Sequence, residues 1–474
     1  MSSPIGPDSA SDKAFDSGTP NANAAEPAES GSWYVVGLLT LVYLFSFLDR
    51  QILSLMVDDL KTGLGLEFDW QVGFLMGPAF AIFYTLFGIP FGRAADSKSR
   101  KHIIAFGLAV WSVMTVGCGM ARSFTQMAIL RVGVGIGEAS LSPSAYSIIA
   151  DSFDGKRLAR AISIYASGIY LGSGLAYLIG GQAVALLRGT EPWVLPVLGT
   201  VLGWQKVFFF VGLPGILVVP LVLWTIREPE RKGVVESKVA PAGSALPLSE
   251  VLAYARRNWK VLATHNVGFA LLSFSSYGTG AWLPSMFKRV HGWEVDQFGL
   301  VYGLIVFVGS ASGAILGGVI ADWLAARGYR DAKIRVGFFA AWLWFPFGLI
   351  FPVLDDGNMA MAFAAPAAFL ASMPFGVAPA ALQEMMPNNL RGQMSSIYLF
   401  VTNLLGLAIG PLLLAAMTDY VFTQAEFGIA GIRWSLLSTT TVAHGVATVL
   451  LFICMAQFRK ARDEYEAGEA MGPG

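Results

Sequence analysis

Long apolar runs broken by short polar stretches recur from residue 33 almost to the end of the chain. Each is long enough to cross a hydrocarbon core of about 30 Å. Read between their polar breaks, they predict twelve spans. Six fall near 33–60, 72–95, 102–121, 124–151, 158–187 and 204–226, and six near 261–287, 297–325, 335–354, 359–386, 394–418 and 433–457. The expected fold is an all-α membrane protein of twelve transmembrane helices in two pseudo-symmetric six-helix bundles.

Composition agrees with that pattern. Only 14% of the residues are charged and 55% are hydrophobic, against about 25% charged in soluble domains. The formal net charge is zero, so no basic field argues for a nucleic-acid partner. Residues 1–32 are rich in Ser, Ala, Pro, Gly and Asp without an apolar core, which predicts a disordered cytoplasmic tail rather than a cleavable signal. Cys118 and Cys454 lie within apolar stretches and read as buried small hydrophobes.

Basic residues choose the orientation. Of the 32 Lys and Arg residues, 23 fall in the tails and in the loops after the even-numbered spans, and seven in the loops of the opposite side. The positive-inside rule then puts both termini and the long 227–260 connection in the cytoplasm. Residues 33–226 read as an N-terminal bundle, 227–260 as a linker, 261–458 as a C-terminal bundle and 459–474 as a cytoplasmic tail. A bacterial inner membrane is the expected location.

The halves echo each other. Gly92 and Asp96 close the second span as Gly318 and Asp322 close the eighth, and Ser163-Ile164-Tyr165 in the fifth recurs as Ser396-Ile397-Tyr398 in the eleventh. The offsets, 226 and 233 residues, nearly coincide at matching positions, which predicts an internal duplication. Gly92, Asp96, Arg100 and Lys101 resemble the G-x-x-x-D-x-x-x-R-K/R loop motif of the major facilitator superfamily. Ser97 stands where a basic residue is usual and Ser99 where the later glycine is usual. Phe47 through Gln51, Arg131 through Glu138, Asp154 through Gly181 and Pro387 through Pro411 resemble the Spinster family of lipid transporters, as in a bacterial homologue.

Ionisable side chains inside spans are costly and mark function. Asp49, Arg50, Arg131 and Glu138 are the principal ones. By helical rise, Asp49 lies about 22 Å up its span and Arg131 about 10 Å below the opposite surface, so the two can pair. Arg131 and Glu138, seven residues apart, share one helix face. Asp49 and Glu138 are expected to bind and release protons, with the arginines setting when they do, and the Spinster resemblance implies the same role. The alternative is a permanent ion pair stapling the first and fourth spans. Arg50 and Arg131 suit an anionic headgroup; the alternative for Arg50 is a simple pair with Asp49 or Asp58. Ser276, Tyr277, Thr402 and Asn403 are candidate substrate contacts from the second half, with helix packing as the alternative. Gly92, Asp96, Arg100, Lys101, Asp322, Arg327 and Glu384 are read as a cytoplasmic gate, against a plain topological signal. His265 and His444 read as packing residues.

The Gly133, Gly135 and Gly137 run lies in a membrane helix with no preceding strand, so it is packing rather than a dinucleotide fingerprint. The sequence has no phosphate-binding Walker loop, metal-ligand spacing or nucleophile elbow, and neither an enzyme nor a cofactor or metal is expected. The resemblance implies a proton-coupled secondary transporter of lysophospholipid or sphingolipid-like amphiphiles, working by alternating access. Its expected partners are that lipid-like substrate, protons and the bilayer, with no nucleic acid, and a monomer is expected. Alternative readings are a proton-linked carrier of small organic anions or drugs, and a non-transporting membrane sensor.

Overall fold

The computed structural model describes residues 28–153, 155–196, 199–231, 248–386 and 388–467. The rest of the expected N-terminal tail, much of the expected linker and residues 468–474 lie outside them. Twelve helical spans follow one another. Span 1 is Ala28–Ile52 with a short turn at Leu53–Leu55. Span 2 joins Asp69–Met76 to Pro78–Ser97, span 3 is Arg100–Cys118, and span 4 joins Phe124–Glu138 to Leu141–Ser152. Span 5 is Gly155–Arg188 and span 6 is Gly203–Thr225. In the second half, span 7 is Trp259–His291, span 8 runs Val295–Ala326 and span 9 is Ala332–Ile350. Span 10 joins Gly357–Ser372 to Pro374–Glu384, span 11 runs from Asn388 to Tyr420, and span 12 is Gly431–Glu466. Ten of these are long and apolar enough to cross a membrane by length and hydropathy alone. Spans 4 and 7 are the others: span 4 is divided, and span 7 carries the Ser273, Ser275, Ser276, Tyr277 and Thr279 cluster.

Interruptions have local causes. Span 2 breaks at Gly77, where Pro78 restarts the helix, and span 10 restarts at Pro374, the helix position where a missing N–H costs least. Spans 8 and 11 each widen into a π-helical segment, Ile305–Ser310 and Asn403–Ile409.

Three elements were not anticipated. The first span was expected to run to residue 60, but a separate helix, Val57–Leu64, begins with Asp58 and Asp59 and ends at left-handed Gly65, a charge order that suits a helix N-terminus. A hairpin pairs Trp193–Leu195 with Gly199–Val201 between spans 5 and 6. Within the connection between halves, Leu248–Arg257 forms an amphipathic helix that buries Val251 and Tyr254.

Each half has its own apolar core, and a further core at one end contains residues of both halves, including Ile52, Leu64, Met286, Phe287 and Phe298. There span 5 crosses span 8 and span 2 crosses span 11. This end is called the far side, and the end carrying Ala28, the Leu248–Arg257 helix and Glu466 the termini side. Close approach at the far side needs glycine. A Cβ on Gly299 would collide with the Tyr177 carbonyl and one on Gly77 with the Ala408 carbonyl. On the termini side, Gly88, Gly92, Gly376 and Gly392 have open space where a Cβ would stand.

Candidate functional site

Asp49 and Arg50 are consecutive on span 1, so their side chains diverge by about 100° around the helix. Each finds a different partner on span 4. Asp49 lies 3.5 Å from Arg131 and accepts a hydrogen bond from Thr115 of span 3. Arg50 lies 2.7 Å from Glu138, which also accepts from Ser46 at 2.6 Å. The pairing is therefore crossed: each span supplies one acid and one base. The guanidinium of Arg50 sits 4.6–4.8 Å from the ring centres of Phe47, Phe80 and Tyr84, an arrangement that favours a cation. Asp49, Arg131 and Glu138 are 1–2% exposed, and Glu138 Oε1 has no hydrogen-bond partner.

Arg50 is the member of this quartet that reaches the central cavity, a space of about 1270 Å³ including its open part. Gln51, Ser54, Tyr170, Ser173 and Tyr177 give it polar groups from the first half. Spans 9 and 10 and the short turn Phe351–Val353 that follows span 9 give it an apolar flank of Trp344, Phe351, Ala364, Ala367, Ala368 and Ala371. Of the contacts expected from the second half, Ser276 and Tyr277 line the cavity, whereas Thr402 and Asn403 do not. The sequence reading missed Ser46, Thr115 and Tyr177. Ser46 is four residues before Arg50, the spacing that puts the two side chains on one helix face toward the same Glu138 carboxylate, and that was the available signal. His265 bonds Asn266 and the Ala378 carbonyl, both at 3.0 Å, and His444 stacks on Trp344 at 3.8 Å.

The expected gate residues lie at the termini side, and the bonds they make run within their own half or to the residues that directly continue it. Arg100 is fully buried, ion-paired with Asp151 and, at 3.1 Å, with Glu228. Its Nη2 donates to the Pro229 carbonyl at 2.9 Å. Burial opposes the charge of Glu228, but the Ser99 hydroxyl and the Arg100 amide and guanidinium outweigh it and hold this carboxyl below its usual range. Lys101 reaches the Leu223 carbonyl, and the Asp96 carbonyl accepts from Arg231 while its side chain is exposed. Asp322 is exposed and Arg327 packs 3.4 Å over the Trp323 ring. Glu384 meets Lys333 and, at 3.5 Å, Arg462. Buried Asp331, held by Arg335 at 2.7 Å and Arg459 at 2.5 Å, is a second-half anchor absent from the sequence reading.

The far side carries cross-half bonds; the sequence reading counts Lys61, Lys288 and Arg289 only as outer-side charge, weighs Asp58 as a partner of Arg50 and leaves out Asp69 and Asp419. Arg289 of span 7 grips Asp69 and, at 3.2 Å, Asp58. Lys288 lies 2.6 Å from Asp58, and Lys61 lies 2.7 Å from Asp69 within the first half. Asp419 of span 11 accepts from the backbone amides of Asp69 at 3.0 Å and Trp70 at 2.7 Å.

Two six-helix halves around a central cavity, sealed across one face and with paired charges buried at its wall, define a membrane transporter rather than an enzyme. The chain belongs to the Major Facilitator Superfamily, whose pattern matches residues 39–411. It resembles Spinster: the structure of a bacterial homolog to the human lysosomal transporter Spinster, inward-facing and unoccupied, is similar over 92% of this chain and 99% of that one. Identity is 26% and the TM-score 0.79, against 0.71 for the inward-facing and occupied conformation. An MFS-type efflux pump of Mycolicibacterium smegmatis is 26% identical over 90% of this chain and 94% of that protein. Protein spinster homolog 1 of Homo sapiens is 30% identical over 54% of this chain, and the match spans about half (46%) of that protein. A probable L-galactonate transporter of Escherichia coli is 26% identical over 63% of each chain. The likeness to inward-facing states supports alternating access.

Proposed function

We propose that this protein is a proton-coupled transporter of lysophospholipid or sphingolipid-like amphiphiles, and that Asp49 and Glu138 carry the proton. The observation that carries the reading is the double engagement of Arg50, which lines the cavity and is bonded to buried Glu138. An anionic headgroup entering the cavity competes with Glu138 for the guanidinium. A proton on Glu138 replaces Arg50 as its counter-charge, so headgroup binding and protonation favour each other. Asp49 with Arg131 forms the second such pair. The apolar flank from spans 9 and 10 suits a hydrocarbon tail, and the lipid class is what the Spinster resemblance of the sequence implies. With the termini in the cytoplasm of a bacterial cell, the side opposite the far-side seal faces inward. In this reading Gly92, Asp96, Arg100, Lys101, Asp322, Arg327 and Glu384 form the cytoplasmic gate, parted here, with no bond among the described residues joining any of them to the opposite half.

A small organic anion is the second reading, favoured by the same cavity arginine and by the likeness to a probable L-galactonate transporter. The deciding experiment reconstitutes the protein in liposomes under an imposed pH gradient and follows labelled lysophospholipid and short sugar acids. Gradient-driven lysophospholipid movement, lost in Asp49→Asn or Glu138→Gln, is the expected result. Movement of sugar acids with none of lysophospholipid would replace the substrate class and leave the coupling groups to the same variants.

A further inference from the structure

Span 2 starts without a cap of its own. Phe68, the residue before its first helix, has no side-chain acceptor, and Gln71 Oε1 is used by the amides of Glu67 and Phe68, both at 3.1 Å. The first amides inside the helix, those of Asp69 and Trp70, need a partner from elsewhere. Asp419 supplies it from the other half, at 3.0 and 2.7 Å, and a carboxylate at a helix N-terminus also complements the helix dipole. The side chain of Asp69, 2% exposed, is meanwhile held from span 7 by Arg289. Asp69 is thus gripped through both its backbone and its carboxylate by the opposite half.

We propose that Asp419, together with the Arg289–Asp69 clasp, is the latch of the far side: a helix cap lent by one half to the other, formed when this side closes and broken whenever it opens. The charges fit that role. The first half brings two acids and one base, Asp58, Asp69 and Lys61, and the second brings two bases and one acid, Lys288, Arg289 and Asp419. Each half therefore carries one net charge of opposite sign at the seam. Opening separates those charges and uncaps span 2 in the same movement. The latch rests on alternating access alone and is independent of what is carried, so its test needs no substrate.

Ser285, 4% exposed beside Lys288 at the seam, serves as the reporter once changed to cysteine in a chain with Cys118→Ala and Cys454→Ala. The readout is its labelling rate by a maleimide in lipid nanodiscs. Phe68→Ser gives span 2 a local cap, which separates loss of the latch from simple uncapping. Because Phe68 also stacks on Tyr420 at 6.0 Å, Asp419→Ala is compared with and without it on the Phe68→Ser background. The expected result is a labelling rate about tenfold higher with Asp419→Ala, equivalent to about 1.4 kcal/mol of lost cross-half attraction, with thermal stability kept by the local cap. An unchanged labelling rate on that background would overturn the latch, because Asp419 would then be only a cap that the introduced serine replaces.

Discussion

Arg50 and Glu138 meet at 2.7 Å at the wall of the cavity, with Ser46 donating to the same carboxylate and one Glu138 oxygen left without a partner. The pair is buried enough for its charges to need each other and near enough to the cavity for a ligand to intervene. Removing one member leaves the other buried without compensation, which costs about 3–5 kcal/mol. Arg50→Ala is expected to lose stability of that order, and Arg50→Ala with Glu138→Gln to lose less. Denaturant or thermal unfolding of the purified protein in lipid checks this. A double variant less stable than Arg50→Ala would mean the two do not act as a pair.

Glycine contacts at the far side make closure sterically conditional. With a methyl group at Gly299 or Gly77, the carbonyl of Tyr177 or Ala408 blocks the approach of the opposite half. Gly299→Ala and Gly77→Ala are each expected to slow transport at least tenfold while keeping the fold, whereas Gly392→Ala, with open space around it, leaves this packing untouched. Transport rates in liposomes, set beside melting temperatures, separate a blocked cycle from an unfolded protein.

The Arg100–Glu228 contact gives the termini side an acid-sensitive contribution to stability. Because the Glu228 carboxyl is held below its ordinary value of 4.5, that contribution is fully present above 4.5 and is lost as the pH falls from there through the lowered value. Glu228→Gln is expected to melt at a lower temperature near neutrality and to show a shallower decline in melting temperature on acidification. Parallel pH profiles of melting temperature would contradict the assignment.

Cavity geometry separates residues that looked equivalent in sequence. Tyr277→Ala is expected to raise KM about tenfold, because Tyr277 lines the cavity, whereas Thr402→Ala and Asn403→Ala leave KM within about twofold. An equal rise in all three would place the binding surface elsewhere.

Much of the architecture was legible because a bilayer admits few alternatives. Apolar length specified spans, and the cost of burying charge singled out Asp49, Arg50, Arg131 and Glu138 before any contact was known. Their partners were only partly legible. Depth along the helices allowed Asp49 to meet Arg131, and they do lie 3.5 Å apart. Arg50 was weighed against Asp49 and Asp58 but pairs with Glu138, because neighbouring side chains on a helix point in different directions. The far-side seam was not legible: Asp58, Lys61, Asp69, Lys288, Arg289 and Asp419 look like ordinary span ends until the halves meet.

The sequence by itself determined the twelve apolar spans, the buried quartet of charges and the echo between halves, since these follow from local hydropathy, helical periodicity and repeated spacing. Tertiary structure alone decided the crossed pairing of the quartet, the access of Arg50 to the cavity and the capping of span 2 by Asp419. The first depends on how spans 1 and 4 turn toward each other within one half, the other two on how the two halves come together around the cavity. Long-range contacts of that kind leave no periodic signal within any one helix.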